Sequence, residues 1–507
     1  MPLDPQRQDL AIGIVGTGVM GRGIAQIAAQ TGIHVVLYDS RADAAAAAKD
    51  YVVGTIAKLA DKGKVPADAA ARAAGLLEVG HGLGHLAKCQ VVIEAIVERL
   101  DAKRELFQHL EGFVAPDCVL ATNTSSLQVT AIAAACGHPE RVGGFHFFNP
   151  VPLMKVVEVV DGLLTAPWVG DALVALARRM GHTPVRAQDT PGFIVNHAGR
   201  GFGTEALACL REGVAPFWEI DRCLRDQAGF RMGPFELMDL TGLDVSHPVM
   251  ESIYDQYYQE PRYRPSPITA QRVVAGRLGR KSGNRGFYEY LDGRAQPMPV
   301  TPVPDAPAPK VWVARHGLHD QLAATVAKLG GLLDHGDRPG PDSLCLVAPL
   351  GLDATSAAVA AGIDATRTVA VDCLFGLDRR RTIMATPATL PLMRDAAHAL
   401  LARDGVPVSA IRDSAGFIAQ RVVAHIVNIG CDIVQQRICS PPDLDLAVTL
   451  GLGYPLGPLA WGDAIGPARV LEILDHLHSC YGDPRYRPSP WLKRRALLGL
   501  SLLTLEH

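Results

Sequence analysis

An internal repeat constrains the fold of this 507-residue chain more than any other feature. Four pairs of motifs recur at a spacing of 224 residues, or 223 for the last: Asp189-Thr-Pro-Gly-Phe-Ile with Asp413-Ser-Ala-Gly-Phe-Ile, Gly233-Pro234 with Gly457-Pro458, Asp239 with Asp463, and Pro-Arg-Tyr-Arg-Pro-Ser-Pro at 261–267 and 484–490. Repeats kept in register over such a length indicate a duplicated domain, so the chain is not one continuous fold.

The repeat and a proline-rich stretch together predict the domain boundaries. Six prolines between 297 and 309 exclude a helix or a central strand and predict a linker. A weaker similarity of 310–330 to 12–32 extends the second copy backwards. The predicted domains are 1–187 and 188–292, the linker 293–309, and a second copy of both domains at 310–411 and 412–507.

Strand and helix patterns alternate in the first part of the chain. The strand-like segment Ala11–Gly16 precedes a helix predicted from Arg22, and Ile33–Asp39 follows as a second strand. This alternation predicts an α/β fold with a parallel sheet covered by helices on both faces. The segments after Asp189 and Asp413 lack such strands and are predicted to be all-helical.

A glycine-rich turn joins the first strand to the first helix. Gly16, Gly18 and Gly21 form a G-x-G-x-x-G motif, in which glycines allow a tight turn and close approach of a pyrophosphate to the helix N-terminus. Asp39 ends the next strand, where its carboxylate can bind the ribose 2′-hydroxyl of NAD. The pattern predicts a Rossmann-type NAD-binding domain, although nearby Arg41 leaves NADP open.

An acid–base pair is the richest chemical signal in the chain. His146 ends the apolar segment Gly144-Phe-His-Phe-Phe-Asn-Pro, and Glu158 lies in the apolar strand that follows. A carboxylate in an apolar strand is costly unless it has a partner, and histidine is suited to proton transfer near neutral pH. The polar loop Asn123–Ser126 supplies further groups at a strand end, which favours a catalytic over a structural interpretation.

The first 290 residues resemble the L-3-hydroxyacyl-CoA dehydrogenase family. The matching motifs are the glycine-rich turn at 16–25 and the segments 121–127, 144–150, 189–196 and 279–288. The resemblance implies NAD-dependent oxidation of an (S)-3-hydroxyacyl-CoA to a 3-oxoacyl-CoA. The length and the second copy resemble the long bacterial members, which oxidise 3-hydroxyadipyl-CoA in phenylacetate catabolism.

The resemblance also implies roles for individual residues. His146 would be the general base, oriented by Glu158, with Ser125 and Asn196 bonding the substrate oxygens. The implied cofactor contacts, besides the glycines and Asp39, are Glu98, Lys103, Asn149 and Lys281. Lys62 would meet the CoA phosphates, although a solvated helix face explains it equally well. No metal is expected.

The second copy departs from the family pattern at the chemical positions. Ala314, His316 and His319 replace the three glycines, and neither 371–375 nor 381–384 offers a counterpart of His146 or Glu158. The spacing of its histidines fits no metal site. The second copy is therefore predicted to be catalytically silent. Because single-copy members of the family dimerise through the helical domain, we expect a monomer with an internal pseudo-dimer, or a homodimer.

Composition excludes several classes of protein. With 49 basic and 52 acidic residues the formal charge is -3, which gives no basic field for nucleic acid. The sequence contains no uninterrupted stretch of ~18 apolar residues, so no membrane span is predicted. Ten scattered cysteines suggest reduced thiols in the cytoplasm.

Three alternatives to the leading interpretation stay open. The substrate could be 3-hydroxybutyryl-CoA, or a hydroxy acid without CoA, as in the gulonate dehydrogenase relatives. In a different class, the chain could be an NAD-binding scaffold without turnover. The intact set His146, Glu158, Ser125 and Asn196 argues against a scaffold, because binding alone needs no base.

Overall fold

The computed structural model describes residues 3–307, 309–315 and 317–506, so His316 lies outside the described residues. The chain divides into two compact units. The first consists of the residues up to His197 together with Gln436–Leu452, and the second of Ala198–Gln435 with the residues from Gly453 onward. A short piece of the second copy therefore belongs to the unit built mainly from the first.

An eight-stranded sheet forms the centre of the first unit, in the order β3-β2-β1-β4-β5-β6-β7-β8. Neighbouring strands are parallel except β6 and β7, which are antiparallel. The strands are β1 (Ala11–Val15), β2 (His34–Tyr38), β3 (Leu77–Val79), β4 (Val91–Glu94), β5 (Val119–Thr122), β6 (Val142–Phe147), β7 (Val156–Asp161) and β8 (Thr183–Gln188).

Helices follow the strands as the alternating pattern predicts. They are α1 (Val19–Gln30), α2 (Ala44–Asp61), α3 (Ala67–Gly75), α4 (Leu100–Glu111), α5 (Val129–Ala133), α6 (Pro167–Arg179) and α7 (Val195–Ala198). Helix α1 begins at Val19 and not at the predicted Arg22, because Gly18 is the last extended residue of the turn. Buried aliphatic side chains of β1, β2 and α1 pack into one core, which holds the glycine turn against the sheet.

The second unit starts with the helices of the first copy. These are α8 (Arg200–Arg211), α9 (Phe217–Asp226), α10 (Pro234–Thr241), α11 (Leu243–Gln256) and α12 (Pro267–Val274), followed by a small hairpin of β9 (Tyr290–Leu291) and β10 (Arg294–Ala295). Residues 296–307, in the predicted linker, contain no helix or strand.

The second copy supplies the remaining elements. They are β11 (Val311–Val313), α13 (His319–Lys328), β12 (Leu344–Val347), α14 (Ala354–Ala361), β13 (Thr368–Val371), β14 (Arg381–Ala385), α15 (Pro391–Leu401), β15 (Val408–Ile411), α16 (Ala419–Gln435), α17 (Pro441–Leu452), α18 (Pro458–Ile465), α19 (Pro467–Tyr481) and α20 (Pro490–Leu498). All belong to the second unit except α17.

The sheet of the second copy is a shortened version of the first. Strands β12 to β15 repeat the order and directions of β5 to β8, including one antiparallel pair. The Asp413 carboxylate accepts bonds from the first amides of α14, as the Asp189 carboxylate does from those of α5. Among the described residues, a single parallel bridge between Val311 and Leu333 extends the sheet beyond β11. The α/β fold and the duplicated all-helical domain predicted from the sequence are confirmed.

In both copies of the repeated heptapeptide, the arginine and tyrosine that follow the first proline are buried within the second unit. Arg262, in the first copy of the heptapeptide, pairs with Asp432 of α16 at 3.1 Å. Arg485, in the second copy, pairs with Glu205 of α8 at 3.2 Å. Each heptapeptide thus contacts the main helix of the other copy. Among the described residues, no helix combines the length and hydropathy needed to cross a bilayer.

Candidate active site

The three glycines of the turn have different surroundings. Gly16 has φ +93°, and a Cβ there would lie 2.5 Å from the Ala95 carbonyl oxygen. A Cβ at Gly21 would lie 2.0 Å from the Gly16 carbonyl oxygen. A Cβ at Gly18 would have no atom within 4 Å. The fold itself therefore requires Gly16 and Gly21, whereas at Gly18 the turn leaves space for an approaching ligand.

A cavity of about 630 Å³ opens beside this turn and is lined by Gly16, Gly18, Asp39 and Arg41, among others. The Asp39 carboxylate accepts bonds from the Thr17 amide at 2.8 Å and from the Arg41 side chain at 3.1 Å. Burial opposes ionisation of Asp39, but these bonds outweigh burial and hold its pKa well below the usual range. A fixed carboxylate beside an open glycine turn fits the ribose and pyrophosphate of NAD.

An ion-pair network of the buried Lys103 and Glu94 with the more exposed Glu98 supports the loop after β5. The Lys103 ammonium lies 2.6 Å from the Glu94 carboxylate and 3.1 Å from that of Glu98. Glu98 accepts bonds from the Thr124 hydroxyl and the Ser125 amide at 2.7 and 2.8 Å. Burial would raise the pKa of Glu98, but the Lys103 charge and these bonds lower it to about 2. The ionised carboxylate therefore fixes the backbone at Ser125.

His146 and Glu158 face each other across the antiparallel pair β6–β7. His146 Nδ1 lies 2.6 Å from Glu158 Oε2, and the Glu158 side chain is fully buried. Glu158 Oε1 accepts bonds from the Ile194 and Val195 amides at 2.9 and 2.8 Å. Since a carboxylate offers only acceptors here, Nδ1 carries the proton and Nε2 is left as a proton acceptor.

The turn that holds Glu158 also brings Asn196 and Ser125 together. Asn196 directly follows Val195, and its side-chain amide lies 3.5 Å from the Ser125 carbonyl oxygen. The Phe148 ring lies 4.4 Å from the His146 ring, centroid to centroid. His146, Glu158, Asn196 and Ser125 thus form one connected group in the first unit.

Three further predicted site residues are exposed. Asn149 is exposed just beyond the end of β6, and Lys62 is exposed at the C-terminus of α2. Lys281 is an exposed residue of the second unit. Their roles stay predictions.

Sequence reasoning missed Glu94, which supports the site, and placed Asn123 in a polar loop without a specific contact. Glu94 ends the apolar strand β4, and it accepts bonds from Lys103 and from the Thr122 hydroxyl. A carboxylate in an apolar strand was the signal for Glu158, and the same signal would have found Glu94. Asn123 accepts a bond from the Phe147 amide at 2.8 Å, which no local pattern predicts because β5 and β6 are far apart in sequence.

In the second copy, other residues occupy the positions of the acid–base pair. The strand register places Asp372 where the first copy has His146, and Thr382 where it has Glu158. Gln420, at the position of Asn196, donates to Asp372 at 2.9 Å. Burial raises the pKa of Asp372 to about 6. The sequence predicts that the second copy has no counterpart of the His146–Glu158 pair, and the aspartate and threonine at these positions agree with that prediction.

Family models match both parts of the chain. The model described as "3-hydroxyacyl-CoA dehydrogenase, NAD binding domain" matches residues 11–190. The model of the "3-hydroxyacyl-CoA dehydrogenase, C-terminal domain" matches twice, at 192–290 and 416–501.

Named relatives give the same result. A 3-hydroxyadipyl-CoA dehydrogenase of Escherichia coli is 38% identical over 96% of this chain and 97% of its own. A probable 3-hydroxybutyryl-CoA dehydrogenase of Deinococcus radiodurans is 40% identical over 55% of this chain and 100% of its own. A crystal structure of a 3-hydroxybutyryl-CoA dehydrogenase from E. coli matches with TM-score 0.85 and 37% identity, covering 97% of this chain and 99% of that one. The chain therefore belongs to the 3-hydroxyacyl-CoA dehydrogenase family and is an NAD-dependent oxidoreductase.

Proposed function

We propose that the protein oxidises the 3-hydroxyl group of an (S)-3-hydroxyacyl-CoA with His146 as the general base. The observation that carries this proposal is the 2.6 Å contact between His146 Nδ1 and the buried carboxylate of Glu158. A buried carboxylate on one ring nitrogen fixes the tautomer and directs the basic nitrogen, Nε2, at a substrate.

The proton has a defined route in this arrangement. The C3 hydroxyl proton moves to Nε2, and the resulting imidazolium is stabilised by the adjacent Glu158 anion. Glu158 is itself held by the Ile194 and Val195 amides, so it cannot rotate away as the charge forms. Ser125 and Asn196 are proposed to bond the substrate oxygens.

The oxidation is completed at C3. NAD, when bound, would supply the acceptor for the hydride from C3, so that loss of this hydride and of the O–H proton to His146 would leave a 3-oxo group. Gly16, Gly18 and Asp39 would hold the dinucleotide, with Glu98 and Lys103 fixing the loop beside it.

Among acyl chains, we propose 3-hydroxyadipyl-CoA as the preferred substrate. The E. coli relative of that name spans both copies, whereas the D. radiodurans relative named for 3-hydroxybutyryl-CoA matches only 55% of the chain. 3-Hydroxybutyryl-CoA is the second candidate, because the E. coli crystal structure that matches both copies bears that name.

The rate of NADH formation from a panel of 3-hydroxyacyl-CoA esters tests this function. We expect turnover with both esters and a higher kcat/KM for 3-hydroxyadipyl-CoA. A higher kcat/KM for 3-hydroxybutyryl-CoA would make that ester, and not 3-hydroxyadipyl-CoA, the preferred substrate. A lack of NADH with every CoA ester would contradict the function itself.

We also infer that the chain is a monomer whose two helical domains form an internal pseudo-dimer. The reciprocal contacts Arg262–Asp432 and Arg485–Glu205 support this inference. We infer a cytoplasmic location from the ten cysteines, all of which are free thiols.

A further inference from the structure

A segment of the second copy, Gln436–Leu452, packs within the first unit. The Gln188 amide, at the end of β8, donates to the Ile438 carbonyl oxygen at 2.8 Å. Helix α17 then packs against β7 and β8, and its buried residues are Pro441, Leu444, Ala447 and Val448. The strand that carries Glu158 is therefore covered by residues of the other copy.

Gly451, in the same segment, lies close against Val195 and Val156. A Cβ there would lie 3.0 and 3.1 Å from the two γ-methyl groups of Val195, and 3.5 Å from a γ-methyl group of Val156. The first two distances are shorter than an ordinary van der Waals contact, so any side chain at 451 would push Val195 away. Val195 is itself buried.

Val195 links this contact to the acid–base pair. Its amide donates to Glu158 Oε1 at 2.8 Å, and Glu158 Oε2 contacts His146 Nδ1 at 2.6 Å. A displacement of Val195 moves one of the two amides that fix the carboxylate. Val195 is therefore the one residue that separates Gly451 from Glu158, whose carboxylate orients His146.

Within the second unit, a segment of the first copy packs in the same way against strands of the second copy. The Arg412 amide donates to the Val214 carbonyl oxygen at 2.9 Å, and both residues lie 224 positions from Gln188 and Ile438 in opposite directions. The counterpart of Gly451 is Gln227, whose side-chain oxygen accepts a bond from the Thr382 hydroxyl at 2.7 Å. Thr382 stands where the first copy has Glu158. In the second unit this segment thus bonds the residue at the position of Glu158, and in the first unit its counterpart lies against Val195, whose amide bonds Glu158.

We propose that Gly451 is a positioning residue for the His146–Glu158 pair, supplied by the otherwise silent second copy. Glycine at this position lets α17 pack closely without disturbing the bonds of Glu158 with its two backbone amides and with His146. The second copy is then needed for the geometry of the active site and not only for stability. This inference rests on the proposed function of His146.

A graded series at Gly451 tests the proposal. We expect Gly451→Leu to lower kcat on the order of 10- to 100-fold, since a shift of about 1 Å can cost that much. The KM for NAD should stay unchanged. Hydrogen exchange at the Ile194 and Val195 amides, followed by mass spectrometry, should become faster.

A double variant separates crowding from general misfolding. Gly451→Ala should lower kcat less than the leucine variant, and Gly451→Ala with Val195→Ala should recover kcat, because the second change removes the two methyl groups in the way. Gly54→Leu is the matched control, since a Cβ at Gly54 has no atom within 4 Å. We expect wild-type kcat and amide protection from this control.

Two results would overturn the proposal. One is wild-type kcat and amide protection in Gly451→Leu, and the other is a double variant no more active than Gly451→Ala. If the wild-type chain oxidises no CoA ester, the proposed function fails, and protection of the two amides alone then decides the role of Gly451.

Discussion

At the scale of single residues, Glu205 shows how a buried charge links the two copies. It accepts bonds from Arg421 at 2.5 Å, from Tyr486 at 2.6 Å and from Arg485 at 3.2 Å. Burial would raise the pKa of Glu205, but the charges of Arg421 and Arg485 lower it to about 2. Because this pKa lies below that of an unfolded glutamate, the carboxylate stabilises the fold above pH ~4.5, and that stability is lost as the pH falls towards 2.

Replacing Glu205 by Gln should expose this dependence. We expect the variant to lose about 3–5 kcal/mol at pH 7, since removing one partner of a buried ion pair leaves the other charge uncompensated. Thermal unfolding between pH 2 and 7 should show a lower Tm at neutral pH and a shallower loss of Tm in acid. The control is Glu251→Gln at a half-exposed glutamate. A wild-type Tm at pH 7 in the Glu205 variant would show that the pair contributes no stability.

Residue patterns predicted the acid–base pair because its chemistry is visible locally. A carboxylate in an apolar strand is costly, and that cost singled out Glu158 before any geometry was known. The two amides that hold it, from Ile194 and Val195, could not be predicted, since backbone donors leave no trace in side-chain chemistry. The contact between Asn196 and Ser125 likewise depends on strand order.

At the scale of elements, strands were predicted more reliably than helix ends. The predicted strands Ala11–Gly16 and Ile33–Asp39 differ from β1 and β2 by no more than one residue at either end. The start of α1 was placed three residues late, since helical geometry begins inside the glycine turn. The position of α17 could not be predicted, because its apolar residues show only that it is buried, not which copy covers it.

At the scale of the whole molecule, duplication was evident from the sequence but its consequence was not. The repeated heptapeptide marked two copies, yet nothing in it shows that each copy contacts the α8 or α16 helix of the other. Nor does the sequence show that α9 and α17 are exchanged between copies. Such reciprocal contacts depend on tertiary packing of segments that lie 170 or more residues apart.

Sedimentation of the full chain tests the internal pseudo-dimer. Because the two helical domains pair within one chain, we expect a monomer of 54.0 kDa at micromolar and nanomolar concentrations alike. A stable species of twice that mass at nanomolar concentration would contradict the inference and favour a homodimer.

In the proposed function, His146 removes the proton during NAD-dependent oxidation of a 3-hydroxyacyl-CoA. The most direct test is the kcat of His146→Gln, measured as NADH formation at saturating 3-hydroxyadipyl-CoA, beside the Kd for NAD of the same variant. We expect a fall in kcat of roughly 10²–10⁴-fold, the usual contribution of a general base, with an unchanged Kd for NAD. Turnover close to that of the wild type, with NAD still bound, would contradict the claim.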